Sequence, residues 1–137
     1  MPPLEAKKFL FSKAASQVGQ GAMKKLLFMD ATKAHLNGPT GDTDAFIDLP
    51  PEIAKAGRCA KLDFWLYGMR PAARAWEEEY ATKLKGEGFL QGISSPTVFV
   101  HPEKDLECVV HGDDFTFLGV EKELNDILTS FNLDFLL

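Results

Sequence analysis

Two adjacent aspartates, Asp113 and Asp114, follow Gly112 between two apolar runs. Neighbouring carboxylates repel, and neighbouring side chains on a strand point to opposite faces. Two readings are open. Gly-Asp-Asp is ordinary turn chemistry, because both residue types favour turns. It also suits a hard divalent cation such as Mg²⁺, which takes oxygen ligands and needs only one or two carboxylates beside substrate phosphates. The apolar flanks favour the second reading, since they mark central strands. A third aspartate, Asp30, ends another apolar run in the same way. Carboxylates brought to one sheet edge by two strands are what two-metal phosphoryl transfer requires, with the ions about 3.5–4 Å apart.

The elements that position these residues follow from local patterning. Residues 24–29 read as a strand buried on both faces, bounded by glycine upstream and Asp30 downstream. Strands are predicted at 97–101, 106–110 and 115–118, with a turn at 102–105 and Gly-Asp-Asp at a hairpin tip. Helices are predicted over 4–18, 71–85 and 121–131. In the first, Leu4, Phe9, Leu10 and Ala14 are loosely helical in spacing, and Gly19 and Gly21 lie near its end. In the second, Pro71 suits the first turn, and Ala72, Ala73, Ala75, Trp76, Tyr80 and Leu84 supply the apolar stripe. Glu77 to Glu79 precede Lys83 and Lys85, which suits the helix dipole and allows a Glu79–Lys83 pair. Gly86 and Gly88 end it. Leu124, Ile127, Leu128 and Phe131 share a face of the third.

Residues 37–44 read as a loop and 45–49 as a short strand, while 61–67 fits either a strand or the start of a helix. The order implies an α+β fold, an antiparallel sheet with helices packed on one face. Trp65, Trp76 and the phenylalanines are expected in the core.

Composition narrows the function classes. The chain has 137 residues, 45% hydrophobic and 26% charged, with a formal net charge of −5. That balance excludes a uniformly basic nucleic-acid binder. Residues 1–29 nonetheless carry five lysines against one glutamate, a local +4, and the remainder carries −9. Cys59 and Cys108 are too few for a zinc site or a disulfide framework. They read as two buried free thiols, with a single disulfide as the alternative. No apolar run reaches membrane-spanning length and no secretory leader is evident. The expectation is a soluble intracellular protein of the cytoplasm or nucleus, not secreted and not in a membrane.

The segment F-M-D-A-T-K-A-H-L-N-G-P (28–39) resembles the first catalytic motif of copia-type retrotransposon reverse transcriptases, where an aspartate precedes a short turn and A-F-L-N-G. L-Y-G-M-R-P-A-A-R-A-W (66–76) resembles that family's L-Y-G-L-K-Q-A-P-R-A-W. G-F (88–89) and S-P-T-V-F-V (95–100) follow at the family's spacing. V-V-H-G-D-D-F (109–115) stands where the family has Y-V-D-D. The resemblance runs from about residue 26 to 131, with the motifs in order.

It implies a polymerase palm with a ferredoxin-like core, acting as an RNA-directed DNA polymerase. The partners are an RNA template, a DNA primer and deoxynucleoside triphosphates. The cofactor is Mg²⁺, with Mn²⁺ as its substitute. Asp30 and Asp113 are then the principal catalytic metal ligands and Asp114 the accessory one, with Ala31 beside them in the metal set. Thr32, Lys33, Ala34 and His35 would lie under the triphosphate, and Arg70 and Pro71 would border the nucleotide. The helix beginning near Pro71 would face the forming base pair.

Three departures stand out. His35 replaces the family's Phe at the ring that excludes a ribose 2′-hydroxyl. Pro71 replaces Gln and removes a side-chain donor, which Arg70 and Arg74 could replace as phosphate contacts or leave unreplaced as solvated charges. His111-Gly112 replaces an aromatic-Val pair. Gly112 makes the motif similar to the G-D-D of viral RNA polymerases, and His111 is either a metal ligand or a locally bonded ring.

The implied organisation is an N-terminal helix and linker at 1–23, a remnant of the fingers, followed by a palm at 24–137. Fingers and thumb are largely missing, so other segments would be needed to grip a duplex. The basic N-terminal stretch would keep some of the fingers' phosphate-binding character. A degenerate, non-catalytic relic of a retroelement, or a small α+β binding module, are the alternatives.

Overall fold

The structure is a computed structural model that describes residues 4–16 and 21–134. Among these residues the fold is α+β, with three α-helices and a five-stranded antiparallel sheet. The order is α1 (Leu4–Ala15), β1 (Lys24–Asp30), β2 (Phe46–Ile47), β3 (Ala60–Lys61), α2 (Ala72–Gly86), β4 (Leu90–Gln91), β5 (Val98–His101), β6 (Leu106–His111), β7 (Asp114–Val120) and α3 (Glu121–Asp134). The chain divides into two compact units, Met1–Ala34 with Ala81–Leu137, and His35–Tyr80. This division differs from a boundary at residue 23, because α1 packs on the sheet. Among the described residues no helix is long and apolar enough to cross a membrane.

The first unit holds the sheet, in the order β1-β7-β6-β5-β4. Phe115 and Phe117 of β7 point to one face and Thr116 and Leu118 to the other, and all four are buried. On the first face, Phe131 of α3 meets Phe115 and Phe117 edge-on, at 5.4 and 5.8 Å between ring centroids. On the second, Leu10 of α1 packs with Val109 and Leu118, flanked by Ala6, Ala14, Leu26 and Val98. Helices therefore cover both faces, not one. A central strand that is apolar on both sides needs two covers.

The face of α1 that meets the sheet is Ala6, Leu10 and Ala14, at four-residue spacing; Leu4 and Phe9 are exposed. The helix ends at Ala15, and residues 17–18 of the predicted span, with Gly19, lie outside the described residues. β1 is also corrected. As an edge strand paired only with β7 it buries Met29 alone, and Phe28 is exposed. Among the phenylalanines, 89, 99, 115, 117 and 131 are buried, whereas Phe9, Phe11, Phe28, Phe46 and Phe64 are exposed. Phe135 lies outside the described residues.

α2 ends in a Schellman motif. The Phe89 N–H donates to the Leu84 carbonyl and the Gly88 N–H to that of Lys85, with Gly88 at φ 97°. Lys83 pairs with Glu87 at 3.0 Å rather than with Glu79. Glu87 also accepts a hydrogen bond from Ser130, which fixes it beside α3. His101 is buried here. Its Nδ1 accepts the Lys104 N–H at 3.2 Å, so Nε2–H donates to the Glu87 carbonyl at 3.0 Å.

Both cysteines are free, but only Cys108 is buried and Cys59 is exposed. Cys59 immediately precedes strand β3, a two-residue ladder too short to cover it.

The second unit has a two-residue ladder, β2 on β3, and a bridge from Pro39 to Phe64. The ambiguous 61–67 is thus the end of a strand followed by a turn. Ala45, Trp65 and Ala72 form its core with Leu62, Met69 and Ala75. The buried Thr40 hydroxyl donates to the Leu62 carbonyl at 2.8 Å, and the Trp65 N–H donates to that of Gly38 at 2.9 Å. A Cβ at Gly38 would lie 2.9 Å from the Trp76 nitrogen and 3.0 Å from the Ala75 Cβ. The N-G-P turn and the start of α2 can approach this closely only with glycine at 38.

Candidate metal centre

The β1–β7 ladder pairs seven residues, ending with Asp30 opposite Asp114. Directly paired residues project from the same face at close range. The β6–β7 hairpin turns through Gly112 and Asp113, with Gly112 at φ 64°. Glycine in that first central position is what a type II′ two-residue hairpin uses. One further backbone bond, from the Ala31 N–H to the Asp113 carbonyl at 2.9 Å, ties the hairpin tip to the end of β1. Register places two carboxylates, and this bond places the third.

One ligand oxygen from each of Asp30, Asp113 and Asp114 lies within 4.8 Å of the others, and all three residues are exposed. They form the only such group of three or more acidic, His or Cys side chains among the described residues. Three carboxylates held this close repel, and a divalent cation would relieve the repulsion. Mg²⁺ holds oxygens at about 2.0–2.1 Å, so oxygens shared on one ion stand at most about 4.2 Å apart. Oxygens within 4.8 Å of one another are compatible in scale with one such ion or with a pair about 3.5–4 Å apart.

The remaining sequence-predicted residues are placed as follows. Ala31 and Ala34 are buried, and Thr32 and Lys33 are exposed between them, Lys33 at φ 54°. His111 stands opposite Asp114 in the ladder but is outside the ligand group. His35, Arg70 and Pro71 belong to the second unit. The His35 ring stacks on Tyr67, 4.9 Å between centroids and 29° between planes. Arg70 is exposed, and Arg74 pairs with Glu78 at 2.9 Å. Pro71 occupies the N-cap of α2, where its carbonyl accepts the Ala75 N–H.

The basic N-terminal stretch is largely internally paired: Lys13 with Glu107, Lys24 with Asp105 and Lys25 with Glu121.

Sequence reasoning missed a pocket of about 330 Å³ in the sheet unit, where Lys7, Phe11 and Phe28 adjoin Asp30 and Asp114. Its one sequence signal is K-K-F-L-F at 7–11, a basic and aromatic run in a helix with little core to bury. It also missed Tyr67 as the partner of His35. No family model, no curated protein and no solved structure matches this chain.

Proposed function

We propose that the chain is the palm of an RNA-directed DNA polymerase, in which Asp30, Asp113 and Asp114 hold Mg²⁺ for nucleotidyl transfer to a primer 3′-hydroxyl. The observation that carries this reading is the meeting of all three aspartates within 4.8 Å. They come from sequence segments more than eighty residues apart, and the motif resemblance singles out the same three. When bound, the metal pair would activate the hydroxyl and neutralise the departing pyrophosphate. Asp30 and Asp114 are fixed by register and Asp113 by the hairpin turn, so the ligand set is built before a cation arrives. Duplex affinity comes mainly from phosphate contacts. A chain of net charge −5 therefore depends on further basic segments or low salt to hold primer and template.

Two measurements test the reading together. In a Mn²⁺ titration, resonances near Asp30 and Asp113 should broaden in concert, and Asp113→Asn should lower the affinity at least about tenfold. Primer extension with Mg²⁺ or Mn²⁺ should be lost in the same variant. Extension that survives Asp113→Asn overturns the site assignment. Mn²⁺ binding without extension points to a catalytically inert relic, and absence of Mn²⁺ binding points to a binding module.

A further inference from the structure

The two edges of the sheet differ. β4, at one edge, has two residues, and a very short edge strand is an ordinary protection against further pairing. β1, at the other edge, has seven, with no proline among them and an uninterrupted ladder to β7. One bond tells which of its backbone groups face outward. In an antiparallel ladder, opposed residues alternate between pairs that exchange two N–H···O bonds and pairs that exchange none. The Ala31 N–H donates to the carbonyl of Asp113, one step beyond the Asp30–Asp114 pair. Ala31 is therefore of the bonded kind, as are Met29, Leu27 and Lys25 at two-residue steps. Lys24, Leu26, Phe28 and Asp30 turn their N–H and C=O groups away from β7, where the sheet has no further strand among the described residues.

The helices leave this edge open. Phe28 is 63% exposed, whereas Thr116, opposite it on β7, is 4% exposed. Leu26 and Leu27 are half-buried beside Leu118 and Phe117, which are fully buried. Cover on both faces is complete over the middle of β7 and falls away across β1. The strand is also its own antiparallel complement. K-K-L-L-F-M-D runs from two lysines through an apolar centre to an aspartate. Turned about a two-fold axis at Leu27, it sets Lys24 against Asp30, Lys25 against Met29 and Leu26 against Phe28. No like charges meet, and each outward-turned residue meets another, giving about eight backbone bonds at two per bonded pair. A slide of one residue opposes outward groups to inward ones, so no ladder forms. A slide of two sets Lys24 against Phe28, or Asp30 against Leu26. Lys24 lies 2.6 Å from Asp105 of its own chain, and the Leu27 register gives it a second carboxylate on the open side.

We propose that the chain associates with a second copy of itself through β1, in the antiparallel register centred on Leu27, so that the two sheets run on into one. The order of charge along the strand selects this occupant, and its odd length lets every outward residue find an outward partner. The inference does not rest on the polymerase reading of the aspartates.

The test is sedimentation equilibrium in EDTA, which keeps divalent cations from Asp30. The average mass should rise from 15.2 kDa towards twice that value as the chain is concentrated from about 1 to about 300 µM. Lys24→Asp leaves carboxylates at both ends of the strand, and Asp30→Lys leaves ammonium groups at both ends. Each variant alone should associate about tenfold more weakly, because opposed like charges replace unlike ones at both ends of the paired strands. Mixed in equal amounts, the two variants should regain the parent's affinity, since each end then meets its opposite. A variant weakened only by damage to its fold would not be rescued by mixing, and far-UV circular dichroism checks each fold separately. A mass that stays at 15.2 kDa at about 300 µM overturns the proposal and leaves the edge to an extended segment of a different chain. Association that ignores both charge changes, or that mixing does not restore, overturns it as well.

Discussion

Asp30 and Asp114 are set by a ladder of seven paired positions between β1 and β7, whereas His35, Arg70 and Pro71 are set by turns within residues 35–80. The ladder is backed by helices on both faces and by an aromatic cluster of Phe89, Phe115, Phe117 and Phe131. The second unit has a two-residue ladder, and one of its core clusters is Ala45, Trp65 and Ala72. Displacing the three clustered carboxylates requires opening the end of the β1–β7 ladder. Displacing His35 requires only the loss of its stack on Tyr67 and of nearby turn bonds. Local opening is cheapest where few apolar contacts and few ladder bonds resist it. The chemistry-bearing groups thus sit on the stiffer unit and the predicted nucleotide contacts on the softer one.

The two cysteines give the largest contrast. Cys59 is exposed in the second unit. Cys108 is fully buried in β6, and that burial pushes its thiol well above the usual range. With Ellman's reagent near pH 8, one thiol should react at once. Cys108 should react on the order of 10³-fold more slowly or less, because thiolate formation there needs the sheet to open. Similar rates for both thiols would abolish the distinction between the units.

Phe117→Ala should destabilise the sheet unit by about 3–5 kcal/mol, the usual cost of removing a buried aromatic ring. The chain's two tryptophans, Trp65 and Trp76, both lie in the second unit, so their fluorescence reads that unit alone. In urea the circular dichroism transition should move to lower concentration. If the fluorescence transition stays behind, the units unfold separately; if it moves equally, they unfold as one.

Much of the sheet unit was legible in the sequence because its signals are local. The strand–turn–strand pattern from residue 97 to 118 needs only alternation and turn residues, and the helix beginning near Pro71 carries its own stop at Gly88. What escaped depends on long-range placement. Nothing local says that the apolar run 24–29 is an edge strand, so the exposure of Phe28 could not be read. α1 buries one large residue, Leu10, and its opposite-face position follows from a sheet assembled ninety residues later. The meeting of Asp30 with Asp113 and Asp114 was suggested by their places at the ends of apolar runs and by motif order, not by spacing. β4, two residues long, is too short to leave a pattern. In the second unit Gly38 looked like one turn former among several, and its role appears only where α2 passes within contact of it.

Gly38→Ala tests that last point. The added methyl would lie 2.9 Å from the Trp76 nitrogen and 3.0 Å from the Ala75 Cβ, and neither is the tip of a flexible side chain. Overpacking of this kind costs about 1–3 kcal/mol. The loss should register in tryptophan fluorescence and leave the slow Cys108 labelling unchanged if the units are independent. Gly41→Ala, at φ 59° in open space, is the control for backbone strain without a clash.

The smallest expected effect belongs to the helix layer behind the sheet and is read by pH. Glu87 accepts a hydrogen bond from Ser130 of α3, which is the main cause of a carboxyl pKa below the ordinary 4.5; partial burial opposes this, and the bond and charge of Lys83 support it. A carboxyl whose folded value is depressed binds fewer protons when folded than when unfolded. Its contribution is therefore present above about pH 4.5 and is lost as pH falls through the lower folded value. Glu87→Gln should cost about 1 kcal/mol near neutrality, the worth of one hydrogen bond net of solvation, and the gap to the parent should close as pH falls through the lower folded value, where both chains carry a neutral side chain. Urea midpoints across that range measure it by circular dichroism. A gap that stays constant with pH would assign the loss to packing, and one that appears only in tryptophan fluorescence would place it in the wrong unit.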